Sequence, residues 1–293
     1  MSITAAMVKE LRERTGSGMM ECKKALVESN GDLELAIENM RKAGLAKADK
    51  KSGRTAAEGL IGIRISADQH QAVIVDVNCE TDFVAKGDDF SQFVDQITEA
   101  LLNNANVTAE NSDALPLANG KTLDETRREL IAKLGENITL RRFTRFQNNE
   151  HFFVSYQHGS KIGVLVELAN EDETLGKDIA MHIAAVKPQC VSEDQVSEDI
   201  VEKEKEIFTA QALESGKPAE IVEKMIGGRI KKFLAEITLL GQPFVKDDKT
   251  SVGQLLTSKN NAVIAFTRYE VGEGIEKKEE NFAEEVMAQI NAV

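Results

Sequence analysis

The side chains best suited to covalent or metal chemistry in this sequence are scattered, and their spacing assembles no centre. His70, His151, His158 and His182 show no metal-ligand spacing to one another or to Cys22, Cys79 and Cys190. The cysteines form no CxxC pair and no even set of bridges, so they read as reduced, mostly buried thiols. No phosphate loop of the GxxxxGKS/T kind, no GxGxxG turn and no GxSxG elbow occurs. Gly227, Gly228 and Arg229 fall within a helical stretch, where the glycines read as permitting close packing. The residues therefore predict a protein that is not an enzyme and holds neither metal nor cofactor.

One short run stands apart. Residues 78–86, Asn-Cys-Glu-Thr-Asp-Phe-Val-Ala-Lys, lie where an alternating strand pattern gives way to a helical one. Thr81 or Asp82 can cap the helix that follows. Two readings of Phe83 stay open on the residues alone. It fills the core beneath the capped helix, or it projects from a stiff strand–helix junction as an apolar wedge.

The chain that holds this run has 293 residues, 42% of them hydrophobic and 29% charged. Its length suggests about two domains of ordinary globular composition. A formal net charge of −13 sets the surface against phosphate backbones, which argues against a broad nucleic-acid footprint. Residues 41–54 are basic but rich in small residues, and read as a solvated linker. The opening Met1-Ser2-Ile3-Thr4 has no basic stretch before an apolar run, and no segment approaches the ~20 apolar residues of a membrane span. The expectation is a soluble, internal protein.

Residues 1–55 read as three short helices and a linker. Thr4 caps the first, with Met7, Val8 and Leu11 at helical spacing. The second carries Met19, Met20, Cys22, Lys23, Ala25 and Leu26. Asp32 caps a third bearing Leu35, Ala36, Ile37 and Met40. Residues 43–59 lack a strong apolar face and read as leading away from this bundle.

From residue 60 the pattern alternates, and then it recurs. Ile61, Ile63, Ile65, Val73, Val75, Asp76 and Val77 match Phe152, Val154, Tyr156, Val164, Val166, Glu167 and Leu168, every pair 91 positions apart. Phe143-Thr144-Arg145-Phe146 is echoed by Phe266-Thr267-Arg268-Tyr269 at a spacing of 123, so the second copy carries an insertion. Helices are expected between the strands, one of them with Phe90, Phe93, Val94, Ile97 and Leu101 on its inner face. The architecture predicted is α+β, with two related subdomains over residues 56–147 and 148–278, each built on a small antiparallel sheet. The insertion, at about residues 196–236, reads as an antiparallel helical hairpin turned by Ser215-Gly216-Lys217-Pro218. Residues 279–293 read as a C-terminal helix with Phe282, Val286 and Ile290 on one face. Around residues 170–173 the second copy has no counterpart of Phe83.

The stretches LRERTGSGMMECKKAL at residues 11–26 and VNCETDFVAK at residues 77–86 closely resemble the two signature segments of the bacterial elongation factor Ts family. SYQHG at 155–159, HIAA at 182–185, GQPFV at 241–245 and VGEG at 271–274 are similar to family segments too. The resemblance runs in order along essentially the whole chain and is weakest at residues 103–120. Gly87 departs from the acidic residue or Asn common at that place.

The resemblance implies a ubiquitin-associated-like (UBA-like) N-terminal module ahead of the two subdomains, the hairpin and the C-terminal helix. It implies a cytoplasmic guanine-nucleotide exchange factor in translation elongation, whose partner is elongation factor Tu and which has no small-molecule substrate. On that basis Thr81, Asp82, Phe83 and Val84 form the element that reaches the partner's magnesium site. Met19, Met20 and Lys23 belong to a module touching the GTPase domain, and Leu134, Gly135 and His158 sit at or beside the partner surface. The second subdomain would meet another domain of Tu, and the C-terminal helix would clasp the GTPase domain. The alternative is an adaptor whose UBA-like module recruits partners without changing their nucleotide affinity.

Overall fold

The computed structural model describes residues 3–213 and 219–276. The expected C-terminal helix and the Ser215–Pro218 turn lie outside the described residues. Three helices open the chain: α1 (Ala5–Thr15), α2 (Met19–Glu28) and α3 (Leu33–Lys51). Thr4 and Asp32 cap the first and third, their side chains accepting from Met7 N and Leu35 N. Val8, Leu11, Cys22, Ala25, Leu26 and Ala36 bury one small core among them, while Leu35 is left exposed.

The helix α3 runs on through the stretch that reads as a linker in the sequence. Its C-terminal half packs on a later helix, Leu123–Leu134, through small residues, which is why no apolar face announces it. A Cβ placed on Gly44 would lie 2.9 Å from the Cβ of Ala132, and Ala48 is buried in the neighbouring core. Arg41 flanks the seam with pairs to Glu125 and Glu129 at 3.4 and 3.7 Å, and Asp49 pairs with Arg128 at 3.4 Å. The basic stretch is therefore a docked helix.

The first α+β unit contains β1 (Glu58–Ile65), β2 (Gln71–Cys79), the single turn α4 (Asp82–Ala85), α5 (Asp88–Asn103), α6 (Leu123–Leu134) and β3 (Ile138–Gln147). The second contains β4 (Phe152–His158), β5 (Ile162–Leu168), α7 (Glu173–Val186), the paired helices α8 (Glu198–Leu213) and α9 (Ala219–Ile237), the short β6 (Pro243–Phe244) and β7 (Asp247–Ser251), α10 (Val252–Ser258) and β8 (Val263–Glu270). Their main sheets are antiparallel, in the orders β1-β2-β3 and β4-β5-β8.

Central and third strands superpose the repeat as the sequence predicts. Val73, Val75 and Val77 face α5, as Val164, Val166 and Leu168 face α7. Val75 pairs with Phe143 and Val166 with Phe266, and the ladder shifts register at Asp76/Val77 and again at Glu167/Leu168. The echoed arginine has a shared task. Arg145 donates to the Leu102 carbonyl at 3.2 and 3.1 Å, and Arg268 donates to the Ala184 carbonyl at 3.4 Å. Each closes the carbonyl end of the helix on its own sheet, where unpaired acceptors and the helix dipole favour a cation.

The first strands correct the predicted register. Val75 pairs with Gly62, whereas Val166 pairs with Val154, so Gly62 rather than Ile63 is the counterpart of Val154. Ile61, Ile63 and Ile65 face the other unit, while Val154 and Tyr156 face α7. Both faces of β1 are covered, so alternation alone did not tell which face was which.

Ile61, Ile74, Phe153, Leu165 and Tyr269 form a buried layer between the two sheets. Ile61 N donates to Ser160 O at 2.9 Å, and Gln157 Nε2 donates to Ile61 O at 2.7 Å.

In the inserted hairpin, Arg229 joins the two helices, donating to Gln211 Oε1 at 2.8 Å and lying over the Phe208 ring at 5.6 Å. Ala212 and Val222 are buried, but Ile200, Ile207 and Ile221 remain exposed because a two-helix layer has no third element over its outer face. Gly227 and Gly228 do not permit close packing: a Cβ on either meets nothing within 4 Å. Exposed helical glycine costs about 0.5–1 kcal/mol relative to alanine. Gly227→Ala/Gly228→Ala is thus expected to slow amide hydrogen exchange in α9; unchanged or faster exchange would contradict this reading of the pair.

Candidate functional site

The strand β2 ends at Cys79, whose buried thiol donates to Thr81 O at 3.2 Å. Burial, reinforced by the nearby Glu136 and Glu58 carboxylates, pushes this thiol up to about 12, so it is an inert part of the packing. Thr81 then caps α4, its hydroxyl accepting from Val84 N at 3.4 Å. One helical turn follows. It buries Ala85, half-buries Val84 against the first core, and points Phe83 outward. Phe83 is 85% exposed, more than any other large hydrophobic side chain among the described residues. The core-filling reading of Phe83 is overturned.

Asp82 beside it pairs with Lys86 at 2.6 Å. That hydrogen bond is the main cause holding its carboxyl below the usual range, with the Lys86 and Lys161 charges adding to it, so Asp82 is anionic at neutral pH. The second unit has no counterpart of α4, since β5 leads into α7 through the capping residue Asp172.

The junction is braced from α6. Gly135 ends that helix at φ +81°, a left-handed conformation that suits glycine, and turns the chain into Glu136. Glu136 Oε1 accepts the Thr81 hydroxyl at 2.6 Å, and Oε2 accepts Thr81 N at 3.0 Å and Glu80 N at 3.2 Å. Glu80 reciprocates, its Oε1 accepting Asn137 N at 2.6 Å. The Asn137 amide donates to Ser52 O and Arg54 O at 3.3 and 2.8 Å, tying in the chain that leaves α3. Leu134 is half-buried against the first core.

From the second unit, the turn after His158 approaches the same end. His158 is exposed, 3.2 Å from the Tyr156 hydroxyl. Lys161 pairs with Glu58 at 2.5 Å, and its charge reaches Asp82. Gly159 and Ser160 line a groove together with Gly62, Lys86 and Asp88. The structure thus gathers Thr81, Asp82, Phe83, Val84, Leu134, Gly135 and the His158 turn around one end of the sheets.

Met19, Met20 and Lys23 lie on the first turns of α2, where Met19 is 60% and Met20 74% exposed. No hydrogen bond or ion pair among the described residues joins them to the Phe83 tip; Met19 and Met20 form a second exposed apolar patch on the helical module, with Lys23 on the same helix. Glu136 escaped the sequence reading altogether. Its only sequence signal is its place directly after a helix-ending Leu-Gly, which does not tell a bracing carboxylate from a solvated one.

Among the described residues, no group of three or more His, Cys, Asp and Glu side chains is arranged to hold a metal ion. None of their helices is long and apolar enough to cross a membrane. His182 is buried with Nε2 against Gln242 Oε1 at 2.9 Å and Nδ1 accepting from Val245 N at 3.2 Å, and burial lowers its proton affinity. It is a neutral, structural imidazole.

The family model described as Elongation factor TS matches residues 80–273. A protein named Elongation factor Ts from Methylococcus capsulatus is 64% identical over 292 residues, covering 100% of both chains. Proteins of the same name from Alkalilimnicola ehrlichii and Thioalkalivibrio sulfidiphilus are 58% and 59% identical, each over 99% of both chains.

Proposed function

Since this chain belongs to the elongation factor Ts family, and is therefore a translation elongation factor, we propose that it binds elongation factor Tu carrying GDP and promotes GDP release by inserting Asp82 and Phe83 beside the nucleotide's magnesium ion, so that GTP can rebind. The observation that carries this reading is a phenylalanine 85% exposed on a capped and braced turn. An apolar ring held in water gains free energy wherever a partner covers it, and a stiff mounting lets that gain displace the partner's atoms.

No covalent bond is made or broken. GDP is held on a GTPase by backbone amides and by magnesium that neutralises phosphate charge. The factor needs only to bind the nucleotide-free state more tightly than the nucleotide-bound one. By linkage, bound nucleotide weakens the factor's own binding to the same degree, so returning GTP and magnesium release it. Phe83 displaces the element carrying magnesium-site groups, and the anionic Asp82 adds a competing charge beside it. Thr81 and Val84 hold the turn, Leu134, Gly135 and His158 supply contacts around it, and Met19, Met20 and Lys23 supply contacts from the separate patch on the helical module. The reaction takes place in the cytoplasm, with no nucleic acid or membrane involved.

Stopped-flow release of fluorescent GDP from Tu tests this function. The chain is expected to accelerate release in a saturable manner. Binding to Tu without acceleration would instead establish the adaptor.

A further inference from the structure

The geometry assigns Glu136 the role of positioning residue for the Phe83 tip: it latches the turn before the wedge and sets the angle at which Phe83 meets the partner. This inference rests on the wedge reading above. Glu136 does not share an element with Phe83. It stands after the left-handed cap of α6 and accepts three hydrogen bonds, from Glu80 N, Thr81 N and the Thr81 hydroxyl, at 2.6–3.2 Å. Those donors are the last atoms of the strand exit and the cap of α4. With both carboxylate oxygens engaged, the turn can neither slide along β2 nor rotate about its own axis. Charge-assisted bonds of this kind are shorter and stronger than neutral ones.

The reciprocal bond from Asn137 N to Glu80 Oε1, at 2.6 Å, closes the brace into a two-way clasp. Arg54 adds a pair to Glu80 at 3.4 Å. The clasp therefore joins three segments: the end of β2, the end of α6 and the exit from α3. No other anchor of comparable strength is needed under α4. That turn has only four residues and only Ala85 fully buried, too little apolar contact to hold a lever against a partner. A wedge on a loose turn would yield instead of displacing the partner's atoms, so the latch turns the exposed ring into a working one.

The test uses the full-length protein in the fluorescent GDP release assay, comparing wild type, Glu136→Ala, Glu136→Gln, Phe83→Ala and the double variant Phe83→Ala/Glu136→Ala. Misplacement on the ångström scale costs up to about a hundredfold in a positioned reaction. Glu136→Ala is expected to lower the maximal release rate about tenfold, with the half-saturating concentration changed less than about twofold. Glu136→Gln keeps a carbonyl acceptor for the two N–H groups and an amide that donates to the Thr81 hydroxyl, and is expected to restore the rate. On the Phe83→Ala background, Glu136→Ala is expected to have no further effect, because it acts through Phe83.

A maximal rate unaltered in Glu136→Ala would overturn the inference, as would a further drop of the same size in the double variant. If Glu136→Ala does not fold, as judged by its circular dichroism, Thr81→Val replaces it, losing the hydroxyl bond to Glu136 and the cap on Val84 N while keeping the backbone bonds to Glu136. An unaltered rate in that variant would overturn the latch as well. Failure of the wedge reading looks different: Phe83→Ala itself would then release GDP at the wild-type rate.

Discussion

Phe83→Ala is expected to slow release of GDP from elongation factor Tu about a hundredfold while leaving the thermal midpoint of the factor unchanged. The two halves of that result come from one fact. The ring is 85% exposed, so its removal opens no cavity and costs the factor little packing. Buried in a partner, an aromatic anchor of this size is worth several kcal/mol, and about 3 kcal/mol corresponds to about a hundredfold. The loss is expected in the maximal rate more than in the half-saturating concentration. Anchoring contacts elsewhere remain, and only the state with displaced nucleotide is deprived of its support. Stopped-flow kinetics across a range of factor concentrations, with a parallel melting curve, checks both halves.

The second large effect is expected in stability, at Gly163. This residue lies on β5 where the sheets of the two units meet. A Cβ there would lie 2.4 Å from Ile61 Cγ2 and 3.0 Å from Ile63 Cδ1. Ile61 is β-branched and buried, with no room to swing aside. Gly163→Val would raise intrinsic strand propensity yet force the sheets apart. A loss of about 3 kcal/mol is expected, or several degrees in thermal midpoint. Ile61→Ala alone should also destabilise, by leaving a cavity. Combined with Gly163→Val it should recover part of the loss, because one change vacates the space that the other fills. Strictly additive losses would show that the close approach is not what Gly163 provides.

Where one face of an element is apolar and the other wet, the sequence shows the fold plainly. Phe90, Phe93, Val94, Ile97 and Leu101 line the inner face of α5 as their spacing predicts. The repeat also survived, down to a shared register shift and a shared helix-closing arginine. Three features of the fold differ from what the sequence predicts, each for a physical reason. The seam of α3 is made by Gly44 and Ala48, and small residues leave no hydrophobic trace. Both faces of β1 are covered, so alternation fits either register. Gly227 and Gly228 lie against open space, and a glycine's sequence position does not distinguish close packing from none.

At the site, strand–helix punctuation marks the run from Thr81 to Val84, but periodicity gives Phe83 equally to core and to solvent. The structure decides for solvent, because Ala85 and Val84 take the inward positions of a helix too short to bury a third side chain. The brace from Glu136 was out of reach of any local pattern. Its bonds span 55 and 56 residues, and only the folded chain brings those segments together.

The central claim is that Phe83 couples factor binding to loss of nucleotide. The affinity of the factor for nucleotide-free Tu, divided by its affinity for Tu carrying GDP and magnesium, measures that coupling directly. Titration calorimetry on wild type and Phe83→Ala gives both ratios. The wedge account predicts a large ratio for wild type, reduced about a hundredfold in Phe83→Ala chiefly through weaker binding to the empty partner. An undiminished ratio in a folded Phe83→Ala protein would contradict it.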